Sequence, residues 1–357
     1  MIAARYVARR YLLATLASLS ALTALYLVID FNDRAKFYEG QGWLRAVVEL
    51  YACKAAMVVL QLSPAAMAMG AAAAVSGLRR TGEVGAFQAL GRGPATLALP
   101  IGAAALVFAG LLSWAEDPIV VPANYRAEEI TVQTFHRWGD WTAYHAPKRW
   151  YRGEGGRLYQ LDKLAGAGFE GVSLYDLTPD FRLSRRIDAS RLEPAEDGRW
   201  RLTDVVTRTF AADGTMTETR ESERLERLPE DAQLFRVKTG RPQQMTRTEL
   251  PAQMALRRRL GLPSREFELS LHERRAWPLL GVAGALLGVA LALRRRRTGH
   301  LTTAIGEGLG ITIALWTVTA LCHTTSLAGH LAPMVAGWLP VALCAAAAAV
   351  GLWRAAR

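Results

Sequence analysis

Few residues of this chain are spaced for covalent chemistry. There is no G-x-x-x-x-G-K-[ST] segment to cradle a nucleotide phosphate, no H-E-x-x-H pair to hold zinc and no G-x-S-x-G elbow to present a nucleophile. The three cysteines, Cys53, Cys322 and Cys344, lie in or beside apolar runs without metal-ligand spacing. They read as small buried hydrophobes, and no metal, nucleotide or other cofactor is expected. What remains is recognition chemistry. Thr81 is placed to cap a short helix, with Glu83 in its first turn, where a carboxylate suits the helix dipole. Val84, Phe87 and Leu90 follow on one face, and Gly91 and Pro94 end the helix. The stripe either docks a partner or rests on lipid headgroups. Arg34 and Lys36 form a second group, at the end of an apolar run. They either snorkel to the interface or meet an anionic ligand. Glu307 lies inside a later run, an intramembrane carboxylate at the end nearer water. His323 and His330 read as interfacial groups.

The elements around these residues are set by hydropathy. The chain has 357 residues, a net charge of +11 and 51% hydrophobic residues, and the apolar ones cluster in runs long enough to span a bilayer. The runs cover about 11–30, 46–78, 96–115, 276–293, 301–322 and 331–353. The second is too long for one straight span, so a long tilted or kinked helix is expected. About a dozen basic residues, among them Arg5, Arg9, Arg10, Arg79, Arg80, Arg92 and Arg294 to Arg297, fall on one set of connections and both ends. That bias sets both termini and the short 81–91 helix in the cytoplasm. The basic excess is therefore topology, and no nucleic acid partner is expected.

Between the third and fourth runs lies a polar block, residues 117–275. Stretches at 157–161, 172–177, 181–184 and 200–205 alternate with period two and are separated by Gly, Asp and Pro. They predict an exported antiparallel β domain, a sandwich or jelly roll, with short helices near 123–137 and 248–261. Trp138, Trp141, Tyr144, Trp150 and Tyr151 are mixed with basic residues, a pattern that could bind nucleic acid or sugar; edge-strand and domain-base packing near headgroups is the expected reading. The expected organisation is 1–116 with three transmembrane helices and the 81–91 helix, 117–275 as the β domain, and 276–357 with three more transmembrane helices.

This layout resembles the lipopolysaccharide-export permease family, the LptF/LptG type, over nearly the whole chain. Leu78-Arg79-Arg80-Thr81-Gly82-Glu83-Val84-Gly85-Ala86-Phe87-Gln88-Ala89-Leu90-Gly91 is similar to the family's pattern of a Glu, an apolar-alanine stretch and a Gly. Leu271-His272-Glu273-Arg274-Arg275-Ala276-Trp277-Pro278-Leu279 resembles its charged-Arg-Pro approach to the fourth span, and Trp338-Leu339-Pro340 its last-span start. The usual Asn after that Pro is Val341 here, and Ile29-Asp30-Phe31 looks more like the LptG branch. The resemblance implies a permease half-subunit in the bacterial inner membrane that extracts lipopolysaccharide and has no catalytic residues. Its implied partners are a paired permease of the LptF or LptG type, a cytoplasmic ATPase dimer, a periplasmic bridge protein of similar β-jellyroll fold, lipopolysaccharide and membrane lipid. Glu83, Val84, Phe87 and Leu90 would form the ATPase-coupling helix, and Arg34 and Lys36 would meet lipid phosphates. The residues alone leave two alternatives: a membrane-anchored envelope enzyme with its site in the β domain, and a scaffold or sensor acting through its loops.

Overall fold

The computed structural model describes residues 2–38, 42–135, 149–153, 156–165, 168–195, 199–211, 214–228, 241–259, 262–294 and 301–356. Contacts divide the chain into two compact units. One comprises Met1–Arg137, Pro242–Met254 and Pro263–Arg357; the other comprises Trp138–Arg241 and Ala255–Leu262.

In the first unit, six helices among the described residues are long and apolar enough to cross a membrane. α1 (Ile2–Arg34) ends in a 3-10 turn, Ala35–Phe37, and α2 (Trp43–Arg80) is one continuous helix, as its long apolar run predicts. The short α3 (Glu83–Ala89) leads to α4 (Ala95–Ala115), which passes through a π-helical turn, Glu116–Val120, into α5 (Val121–Gln133). The helical unit thus takes in chain from the 117–275 block, because no helix-breaking turn follows Ala115. α6 is Glu249–Arg259 and α7 is Arg265–Arg294. α8 (Leu301–Leu327) and α9 (Pro333–Ala356) complete the set. α7 begins well before the apolar run at 276, since Glu266, Glu268 and Glu273 are good helix formers that need water, not hydrocarbon. Arg295 to Arg297 and the aromatic residues Trp138, Trp141 and Tyr144 lie outside the described residues. So does the side chain of Glu307, although its backbone is helical within α8.

Small residues let the helices touch backbone to backbone, which is what holds helices together where lipid is as apolar as the side chains. A Cβ on Gly70 of α2 would stand 2.6 Å from the Thr15 Cα of α1, and one on Gly288 of α7 would stand 2.5 Å from the Ala68 carbonyl oxygen of α2. The central core joins Val7 and Tyr11 of α1 with Ala71, Val75 and Leu78 of α2, Leu97 and Ile101 of α4, and Ala285 and Val289 of α7. Pro64 sits inside α2 and offers no N–H to the Leu60 carbonyl one turn back. Two other donors take that carbonyl: Ser63 Oγ at 2.8 Å and the Trp277 indole Nε1 of α7 at 3.0 Å. The helix therefore runs on through its proline with no buried acceptor left open.

The second unit holds a six-stranded antiparallel sheet in simple sequential order: β1 (Arg149–Arg152), β2 (Arg157–Ala165), β3 (Gly168–Leu177), β4 (Leu183–Pro194), β5 (Trp200–Phe210) and β6 (Met216–Glu226). Among the described strands the connections are all hairpins. Alternate residues build one apolar face, with Tyr159, Leu161, Val172, Leu174, Ile187, Leu192, Trp200 and Leu202 buried together. Trp150 on the edge strand β1 stacks on Tyr175 at 5.5 Å, the edge packing expected of the aromatic-basic stretch. The sheet also carries ion pairs. Asp176 accepts from Arg157 at 2.5 Å and Arg185 at 2.7 Å, and Asp188 from Arg208 at 2.8 Å. Burial alone would raise the Asp176 carboxyl, but the guanidiniums of Arg157 and Arg185 outweigh it and hold the group below its ordinary value.

Candidate functional site

The short helix α3 carries the first candidate group. Its N-cap is Gly82, in the left-handed conformation at φ 76°, not Thr81. Thr81 instead closes α2, with its backbone N–H donating to the Gly77 carbonyl at 3.2 Å. The reason is that α2 runs to Arg80, so the reversal needs a positive φ immediately after it, which glycine supplies without strain. Gly91 is left-handed at φ 70° and ends the helix as expected.

The expected stripe divides in two. Val84 is only 3% exposed and belongs to the central core, and Phe87 packs partly against it, whereas Leu90 is 74% exposed. Val84 thus seats α3 on its own bundle. The apolar surface left open to a partner is Leu90 with the free part of Phe87. Glu83 is held from two sides: Thr81 Oγ1 donates to its Oε1 at 2.7 Å and Tyr6 OH at 3.0 Å. Arg10 Nη2 donates in turn to Tyr6 OH at 2.8 Å. The carboxylate whose first-turn position suits the helix dipole is therefore also a staple between α3 and the start of α1.

Arg34 and Lys36 lie at the far end of α1, but not as a free pair. Arg34 Nε donates to Asp30 Oδ1 at 2.9 Å and remains half exposed, while the Lys36 ammonium lies 5.0 Å from the Phe37 ring centre. Asp30 is the hub of this end. Its other oxygen accepts from Lys54 Nζ at 2.5 Å and Tyr51 OH at 2.9 Å. Phe31, Tyr38, Tyr51 and Phe135 wrap the pair in aromatic contacts. With Asp33, this end sets three cations against two carboxylates, so the patch stays positive. Lys54 interrupts the apolar run of α2 and pairs with the acid that ends α1. Both are ionisable groups inside or beside apolar runs, which is the sequence signal for such a pair.

Nothing local in the sequence marks a third cluster, whose members span 158 positions from Glu116 to Arg274. Glu116, in the π turn, is buried, accepts from Arg247 Nη2 at 2.7 Å and forms an ion pair with Arg274, whose Nε lies 3.2 Å away. Arg247 also donates to Ser113 Oγ at 2.7 Å, and its backbone N–H to Asp117 Oδ1 at 3.2 Å. Arg274 donates to the carbonyls of Met245 at 2.6 Å and Pro242 at 3.0 Å. Gln244 Nε2 reaches Glu128 of α5. The segment by which the chain returns from the sheet unit is thus bound to α4, α5 and α7. His323 Nδ1 and Glu273 Oε1 are 2.7 Å apart, so this histidine has a carboxylate partner. No group of three metal-ligating side chains occurs among the described residues.

These sites are non-covalent: a fixed carboxylate and an exposed leucine at the two ends of α3, and a positive aromatic patch at the far end of α1. Around them stand six helices that meet the requirements for crossing a membrane, interrupted by an antiparallel β domain. No curated protein matches the chain. Residues 5–354 match the family model described as lipopolysaccharide export system permease LptF/LptG, and with nearly all of its length covered the chain belongs to that family of multi-pass inner-membrane transport subunits.

Proposed function

We propose that this permease is one half of a transporter that lifts lipopolysaccharide out of the inner membrane, driven by a separate cytoplasmic ATPase dimer that docks on α3. The second half is a paired permease of the same family. The lipid passes to a periplasmic bridge protein of similar β-jellyroll fold. In this reading both termini and α3 lie in the cytoplasm, and the β domain, within residues 117–275, lies in the periplasm. The basic residues at 5, 9, 10, 79, 80 and 92 support that orientation. The chain has no phosphate loop, so work must come from a partner.

The observation that carries the reading is α3 itself. It is seated by Val84, stapled to α1 through Glu83 and Tyr6, and offers Leu90 and part of Phe87 outward. A partner that pushes on Leu90 and Glu83 moves α1 directly. At the other end of α1, Arg34 and Lys36 would take lipid phosphates, with Arg34 oriented by Asp30. The test is co-purification of the ATPase with Glu83→Arg and with Tyr6→Phe in membranes. Glu83→Arg should insert normally but lose the ATPase or uncouple hydrolysis from export. Tyr6→Phe, which breaks only the staple, should keep the ATPase bound. Normal co-purification and full export by Glu83→Arg would refute the docking assignment.

A further inference from the structure

α1 and α4 meet along one face and part along the next. α1 turns Val7, Tyr11 and Thr15 into the core, and α4 turns Ile101, Ala105 and Ala109 inward. On the adjoining faces lies a groove of about 600 Å³, lined by Ala4, Ala8 and Leu16 of α1 and by Pro100, Ala104 and Leu111 of α4. It exists because alanines stand where larger side chains would close the gap. From Ala4 to Leu16 the groove follows α1 for about 18 Å, at about 1.5 Å per residue. That is close to half of a ~30 Å hydrocarbon core, so it serves one leaflet.

One end of the groove is charged. Arg5 lines it, and Arg9 follows one turn on along the same face. Neither arginine has an ion pair or hydrogen bond among the described residues, and no acidic side chain lines the groove. The neighbouring carboxylate, Glu83, is occupied by Tyr6 and Thr81. The Arg5 guanidinium at one end of an apolar slot, with that of Arg9 one turn along α1, suits a phosphodiester whose acyl chain lies in the slot. A headgroup that carries its own ammonium would bring a cation towards both.

We propose that the α1–α4 groove binds one acyl chain of an anionic phospholipid of the cytoplasmic leaflet, with Arg5 and Arg9 holding its phosphate. The leaflet assignment rests on the topology proposed above; the binding itself does not. The site lies on the outside of the bundle at the opposite end of α1 from Arg34 and Lys36, so it is a structural lipid site separate from the cargo.

Native mass spectrometry of the full chain in detergent, with phosphatidylglycerol and phosphatidylethanolamine added in equal amounts, tests this. One phosphatidylglycerol per chain should be retained, about tenfold over the zwitterionic lipid, because both carry the phosphate and only phosphatidylethanolamine brings an ammonium towards the guanidiniums. Arg5→Glu with Arg9→Glu, both exposed positions that leave the core intact, should erase the preference. Ala104→Leu should lower retention of both lipids. Equal retention of the two lipids by the unmodified chain would overturn the proposal. So would an unaltered preference in the double-arginine variant. Displacement of phosphatidylglycerol by lipopolysaccharide would make the groove part of the cargo path and overturn it too. A photocrosslinker at Ala8 that captures a protein helix in membranes, not a lipid, would do the same. Labelling of Arg5→Cys from outside sealed cells would sink the topology and the leaflet assignment, while the detergent measurement still reads the site.

Discussion

Replacing Glu116 by Gln should loosen the return segment 242–247 far more than any change at an exposed ion pair. The substitution keeps the side-chain shape but removes the one carboxylate shared by two guanidiniums. Glu116 and Arg274 are both 9% exposed at the side chain and 3.2 Å apart. Breaking such a buried pair costs about 3–5 kcal/mol. Arg274 keeps two carbonyl acceptors, at Met245 and Pro242, and that lowers the loss on this arm to about 2–3 kcal/mol. Arg247 is 37% exposed, so the second arm contributes below about 1 kcal/mol after solvent screening. Glu116→Gln should therefore cost about 3 kcal/mol, Arg274→Gln a similar amount and Arg247→Gln about 1 kcal/mol or less. The double variant Glu116→Gln with Arg274→Gln should cost well below the sum, with a coupling of about 2 kcal/mol, because the first change already orphans the partner. Hydrogen exchange of the full chain in detergent reads this locally, and protection at residues 242–247 should fall about a hundredfold in Glu116→Gln. Equal losses in Glu116→Gln and Arg247→Gln, or strict additivity in the double variant, would refute the account of this cluster.

Other substitutions test the remaining contacts. Lys54→Met leaves Asp30 with the Tyr51 hydroxyl and the half-exposed Arg34, so it should lower the thermal midpoint in detergent by more than Arg34→Met or Lys36→Met; a charge swap of Asp30 and Lys54 should recover part of the loss. Gly70→Val should disrupt the α1–α2 crossing, since the new carbon meets Thr15 backbone that cannot move aside, whereas Gly85→Ala, facing open space in α3, should be neutral or slightly stabilising in the same melt. Asp176 has a depressed folded value, so its contribution is present above the ordinary carboxylate pKa of about 3.9 and fades as pH falls through the lowered value. Hydrogen exchange of β2 to β4, corrected for intrinsic rates, should show acid-induced loosening below that pH; Asp176→Asn should flatten the dependence, and an unchanged profile would contradict the assignment.

The membrane helices were legible because hydrocarbon imposes a length and a composition on every span. α2 was readable as one long element despite Pro64, although nothing local reveals that Ser63 and Trp277 take the freed Leu60 carbonyl. Strands β2 to β5 announce themselves by alternation. β6 does not: Met216-Thr217-Glu218-Thr219-Arg220-Glu221-Ser222-Glu223-Arg224 is exposed along almost its whole length, so no apolar period marks it, and its charges suit an outermost strand. The start of α7 was read late for the opposite reason, since its first turns are polar helix in water. At the candidate sites, Glu83 and Arg34 were visible by type and position. Their partners were not, because Tyr6 lies 77 positions from Glu83 and Lys54 lies 24 from Asp30. The division of the α3 stripe into a buried Val84 and an open Leu90 was hidden too. A period of three to four marks one face of a helix, but on a helix this short it does not say which end of the stripe meets the parent bundle.

The small-residue seam between α2 and α7 has a consequence for how the chain is made. Ala68, Ala71 and Ala72 of α2 meet Gly284 and Gly288 of α7, and Arg79 Nη1 reaches the Ala292 carbonyl at 2.5 Å. More than two hundred residues separate the two halves of that seam. During synthesis the ribosome has to finish the whole β segment before α7 exists. Until then α2 shows lipid a smooth alanine face and a basic foot with no acceptor. A nascent chain halted in the strands is therefore a half-bundle whose exposed seam marks it as incomplete, and the last helices serve as the closing piece that hides the mark.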